Sequence, residues 1–142
     1  MRVGDVLRRK GDAVVTIAPS RTVHELLALL AEHGIGAVVV SADGSGVDGI
    51  VSERDVVRRL VTDGAALLDA SVASIMSSPV RTCTRDDTLE ALMPVMTERR
   101  IRHLPVVDEG RMIGIVSIGD VVKNLIEHVA AERDQLESYI TG

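Results

Sequence analysis

The sequence predicts a mixed α/β (α+β) fold built from two successive β-α-β-β-α units. Three observations carry this. First, the chain repeats itself. Gly49-Ile50-Val51-Ser52-Glu53-Arg54-Asp55-Val56-Val57 is answered about 65 residues on by Gly114-Ile115-Val116-Ser117-Ile118-Gly119-Asp120-Val121-Val122. Upstream, Thr22-Val23-His24-Glu25-Leu26 is answered by Thr88-Leu89-Glu90-Ala91-Leu92. Second, each copy alternates short unbroken apolar runs with apolar residues at helical spacing. Third, 46% of the 142 residues are hydrophobic, yet Tyr139 is the one aromatic. Such a chain is not disordered, and its core has to be aliphatic. A unit of about 60 residues buries too little alone, so two copies sharing an interior are expected.

The elements follow in order. Val14–Ile17 and Val80–Cys83 read as opening strands. Thr22 with Glu25 three residues later is a capping box, and Leu26, Leu29 and Leu30 recur behind it at helical spacing. In the second copy Leu89, Leu92, Met93 and Met96 make the apolar face. Pro94 falls inside that helix, where a proline costs ~3 kcal/mol, so a kink or a late start is expected. Two strands come next in each copy, Ala37–Val40 with Gly49–Val51 and Leu104–Val107 with Met112–Val116. Asp43-Gly44 and Glu109-Gly110 supply hairpin turn chemistry, and the one-residue offset between copies falls in the turn Ala42–Asp48. The unbroken apolar character of these strands predicts burial on both faces. Second helices, Asp55–Val61 and Asp120–Val129, close the units. Residues 130–142 extend the last helix. Its charged residues face water, and a stripe of Leu136, Tyr139 and Ile140 packs either on its own domain or on another subunit. The expected organisation is residues 1–68, residues 69–128 and a helical tail at 129–142.

Composition excludes several functions. Sixteen Lys and Arg against 21 Asp and Glu give a net charge of −5, which disfavours nucleic acid as a partner. The lack of aromatics removes base-stacking surfaces. A single cysteine, Cys83, and a start unlike a secretion signal point to a reducing, cytoplasmic setting. No run approaches the ~18 apolar residues of a membrane span. Cys83 reads as a small buried hydrophobe, and Met76, Met93, Met96 and Met112 as core fillers. His24, His33 and His128 lack partners at metal spacing, so no metal is expected. No nucleophile elbow, P-loop lysine or dinucleotide glycine turn is present, so no catalysis is expected.

Two constellations carry chemistry. Ser52 with Asp55, and Ser117 with Asp120, put a hydroxyl at a helix start and a carboxylate in its first turn. A carboxylate can accept hydrogen bonds from ribose hydroxyls, and the helix N-terminus favours phosphate. The same spacing is also that of a helix cap, and both roles can coexist. The glycine ahead of each motif lets ligand or backbone approach closely. Arg99, Arg100, Arg102 and His103 surround Ile101. They either meet a phosphate or complement the dipole of a helix end.

Two in-register copies of Gly-hydrophobic-x-Ser-x-x-Asp, with the strand Ile101-Arg102-His103-Leu104-Pro105-Val106-Val107 before the second, resemble a tandem pair of CBS domains over about residues 1–128. In the first copy Val39 stands where the family usually has proline. The resemblance implies two repeats paired about a pseudo-two-fold axis into one flat, Bateman-type module. It implies a regulatory role without catalysis, binding adenosine-containing ligands (AMP, ADP, ATP, NAD or S-adenosylmethionine) in clefts between the repeats. It implies phosphate contact by Arg102 and His103 and adenine contact near Thr16 and Thr82, with Arg99 and Arg100 on the surface. Under that pairing Asp55 faces Arg102 and His103. Asp120 faces the uncharged Gly36 and Ala37, with Arg54 a partial substitute, so the two pockets are unequal. A homodimer is implied through helices starting near Thr22, Asp55, Thr88 and Asp120, and the effector is a separate protein. The competing reading is an interaction protein with vestigial pockets that works by dimerisation.

Overall fold

The computed structural model describes residues 1–11 and 13–141; positions 12 and 142, the latter the last of the expected tail, lie outside it. In chain order the elements are α1 (Val3–Lys10), β1 (Thr16–Ile17), α2 (Val23–His33), β2 (Ala37–Val40), β3 (Gly49–Ser52) and α3 (Glu53–Asp63). Two 3₁₀ turns, Gly64–Asp69 and Val72–Ser74, lead to α4 (Leu89–Glu98), β4 (His103–Asp108), β5 (Arg111–Ser117) and α5 (Ile118–Thr141). Helices and short strands mix as an α+β fold, and among the described residues no helix is long and apolar enough to cross a membrane. The chain folds as two compact units, each drawn from separated stretches. The early unit is Ala13–Arg81 with Glu109–Ile113. The late unit is made of residues 1–11, 82–108 and 114–141.

In the early unit, α2 starts as its capping box requires. Thr22 Oγ1 accepts the Glu25 amide at 3.1 Å, and the Glu25 carboxylate accepts the Thr22 amide at 3.4 Å. The helix ends at Gly34, whose left-handed φ of 62° suits glycine. β1 pairs parallel with β2, and β2 antiparallel with β3, in one three-stranded sheet. Val38, Val39 and Val40 are all fully buried, so β2 is covered on both faces, as its unbroken apolar run predicts. Leu26, Leu30, Val51 and Val56 complete the core around it.

The late unit follows the same plan with one strand missing. Thr88 Oγ1 caps α4 through the Ala91 amide at 3.2 Å. The helix starts at Leu89 and runs through Pro94, so the late start does not occur. β4 and β5 form a two-stranded sheet, turned by Glu109 (φ 50°) and Gly110 (φ 77°), the positive pair that a tight hairpin demands. The strand expected at Val80–Cys83 is a correction. It shrinks to one parallel bridge, Cys83 to Val106, and Thr82 lies exposed outside any strand. Pro105 holds the place that Val39 holds in the early unit. It has no amide to extend the ladder past that bridge.

Helix α1 is an element the sequence reading overlooked. Val3, Val6 and Leu7 lie on one buried face, and Arg8, Arg9 and Lys10 suit the negative end of the helix dipole. Backbone bonds dock it: Val3 N to Asp87 O at 2.9 Å, Gly4 N to Arg85 O at 2.9 Å, Leu89 N to Met1 O at 3.1 Å. The early unit has the matching set in Val72 N to Arg21 O (2.8 Å), Ala73 N to Pro19 O (3.0 Å) and Val23 N to Ala70 O (2.9 Å). Residues 70–76 therefore do for the early unit what residues 1–7 do for the late one.

Candidate functional site

Each Ser-x-x-Asp motif sits where a strand runs straight into a helix, β3 into α3 and β5 into α5. Ser52 Oγ accepts the Asp55 amide at 3.3 Å, while Asp55 Oδ2 accepts the Ser52 amide (2.8 Å) and hydroxyl (3.0 Å). Ser117 Oγ accepts the Asp120 amide at 3.1 Å, and Asp120 Oδ2 accepts the Ser117 amide at 2.9 Å. The capping reading is thus realised twice. Both caps use Oδ2 and leave Oδ1 outside the box. Both serine oxygens serve as cap acceptors, and the Ser52 hydroxyl also donates to its own motif's carboxylate. The carbonyl before each buried strand then holds the next helix amide: Gly36 O takes Glu53 N at 2.9 Å, and Arg102 O takes Ile118 N at 2.8 Å.

The two carboxylates differ in company. Lys10, at the end of α1, donates to Asp120 Oδ2 at 2.5 Å and to Ile115 O at 2.9 Å. Burial pushes the Asp120 carboxyl up, but the Lys10 and Ser117 hydrogen bonds and the Lys10 charge outweigh it, leaving the group below its usual range. His103, half-buried at the start of β4, is held below its ordinary 6.5, chiefly by burial and then by Lys10 and Arg102 against the opposing pull of Asp120. Asn124, buried one turn beyond Asp120, donates to Asp120 O at 2.7 Å and accepts from Arg9 at 3.2 Å.

The late unit therefore gathers Arg102, His103, Ser117 and Asp120, with Thr82 exposed on a loop. The early unit holds Thr16, Ser52, Arg54 and Asp55. Thr16 is half-buried in β1; Arg54 and Arg102 are exposed, as are Arg99 and Arg100. The glycines before the motifs do admit a close approach, and the chain itself supplies it. A Cβ on Gly49 would lie 2.5 Å from Met76 Sδ and 3.1 Å from Ser77 O. One on Gly114 would lie 2.6 Å from Leu7 Cδ2. Lys10 and Asn124 were missed by the sequence reading. The signal for Lys10 was the amphipathic spacing of Val3, Val6 and Leu7 ahead of three basic residues, which marks a helix.

The CBS domain family matches residues 3–62 and again 72–127. The mitochondrial CBS domain-containing protein CBSX3 of Arabidopsis thaliana is 32% identical, over 99% of this chain and 72% of its own. The crystal structure of a CBS-domain containing protein from Agrobacterium tumefaciens is 47% identical with a TM-score of 0.83, covering 87% of this chain and 98% of that one. The CBS domain pair of MJ0100, solved with 5′-methylthioadenosine and S-adenosyl-L-methionine, shares the fold at 22% identity and a TM-score of 0.77, over 90% of this chain and 98% of that one. The two matched stretches each contain one Ser-x-x-Asp helix start. The chain belongs to the CBS domain family and carries two copies of that domain.

Proposed function

We propose that this chain is a non-catalytic regulatory module that binds an adenine nucleotide (AMP, ADP, ATP or NAD) and signals to a separate effector protein. The observation that carries the reading is the paired helix start, in which each aspartate keeps Oδ1 outside its cap. A carboxylate oxygen beside a helix N-terminus suits ribose hydroxyls, and the helix amides suit phosphate. The likeness in fold to MJ0100, solved with adenosine-containing molecules, supports the ligand class. In this reading Asp55 and Asp120 accept the ribose, oriented by Ser52 and Ser117. Arg54 and Arg102 meet phosphate, His103 acts as a neutral hydrogen-bonding group, and Thr16 and Thr82 flank the adenine.

Calorimetric titration with AMP, ATP, NAD and adenosine, paired with thermal melts, tests it. A ligand at a hundredfold over Kd stabilises the folded form by about 2.7 kcal/mol. Asp55→Ala and Asp120→Ala should each remove one binding event. If none of the four ligands gives heat or shifts Tm, the interaction-protein reading replaces this one. At Asp120 one observation favours that alternative already, because Lys10 occupies Oδ2. A Lys10→Ala variant separates the two: it binds more tightly where Lys10 competes with ligand, and stays silent where the pocket is vestigial.

A further inference from the structure

We infer that the exposed C-terminal part of α5 pairs, antiparallel, with the same segment of a second copy of this chain. From Val122 onward, apolar residues recur at alternating steps of four and three: Val122, Ile126, Val129, then Leu136 and Ile140, with Arg133 at the one polar place in the series. That spacing is a heptad seam. The seam faces solvent, at 37% exposure for Val122, 63% for Ile126, Val129 and Leu136, and 81% for Ile140. Every residue from Ala131 to Thr141 is exposed, and a helical stretch with no packed face is marginal in water.

Charge selects both occupant and direction. In an antiparallel pair centred on Ala131, Val122 meets the partner's Ile140, Ile126 meets the partner's Leu136, and Val129 meets the partner's Arg133. All six seam positions then find a counterpart. Lys123 lies against the partner's Glu137, and symmetry makes that pair twice. Glu132 meets the partner's Glu132 at the centre, flanked by both Arg133 side chains. A parallel pair instead sets Arg133 against itself in the seam and Glu132 against the partner's Glu137 twice. Like charges there oppose association. The inference rests on the helix alone and not on ligand binding.

Sedimentation equilibrium of the full chain at micromolar concentration tests it. A dimer is expected, and Leu136→Glu and Ile140→Glu should each raise its dissociation constant by at least about tenfold, since each puts a charge into the apolar seam. Circular dichroism should show both variants folded, since neither side chain is buried. Lys123→Glu should weaken the dimer about two- to fivefold, and adding Glu137→Lys should restore it. A Val122→Cys/Ile140→Cys double variant should form an inter-chain disulfide, while Arg133→Cys alone should not. A monomer, a dimer indifferent to Leu136→Glu and Ile140→Glu, or cross-linking through Arg133→Cys overturns the inference.

Discussion

Asp55 and Asp120 occupy equivalent positions and make the same cap, yet only Asp120 has a lysine on it. From sequence, Asp120 is expected to face the uncharged Gly36 and Ala37, with Arg54 a partial substitute. The structure adds a cation of the same unit, Lys10, carried on α1. The same lysine, after burial, helps hold His103 below its ordinary 6.5. A histidine depressed on folding binds protons more readily when unfolded. Its stabilising neutrality is therefore complete above pH 6.5 and is lost as pH falls from 6.5 through the lowered folded value. Asp120, also depressed, acts in a separate window below 3.8. His103→Gln should accordingly lose less Tm than the wild type between pH 7 and pH 5. Equal losses in parallel melts would mean that burial at His103 is not coupled to its protonation.

At the scale of the element, each unit needs a short docking segment whose side chain fills the space beside a glycine: Met76 beside Gly49, and Leu7 beside Gly114. Adding one methyl to either glycine overpacks a formed contact, which typically costs about 1–3 kcal/mol. Gly49→Ala should cost more than Gly114→Ala. The Ser77 carbonyl at 3.1 Å is backbone and gives little, whereas Leu7 can shift the far end of its side chain. Urea denaturation of both variants checks the order, and a neutral Gly49→Ala defeats the argument. The strands show how one residue decides an element. With Val39 the early sheet has three strands; with Pro105 in its place the late unit keeps a single bridge. The proline is plain in the sequence. Its effect depends on which strand it must pair with, which local pattern does not state.

For the whole molecule, the consequence is that the N-terminal helix belongs to the late unit, far from it in sequence. Val3, Val6 and Leu7 are buried there, and each such side chain contributes about 1.5–3 kcal/mol. Deleting residues 1–10 should unfold the late unit. Cys83 provides the readout, since it is 2% exposed and burial pushes its thiol up to about 12. Alkylation at pH 8, followed by mass spectrometry, should be slow in the full chain and faster by at least about a hundredfold in the truncation, because the thiolate is the reactive form. Continued protection of Cys83 in the truncated chain would falsify this assignment of α1. The sequence by itself determined the duplication, the aliphatic core, the capped starts at Thr22, Ser52 and Ser117, and the Glu109-Gly110 turn. Each of these is written within a few consecutive residues, where periodicity, caps and turn chemistry act. Only the tertiary structure decided which unit α1 completes, that Lys10 neutralises Asp120, and that Val80–Cys83 is not a strand. These rest on contacts between distant positions, 110 residues apart for Lys10 and Asp120, and packing rather than local preference selects them.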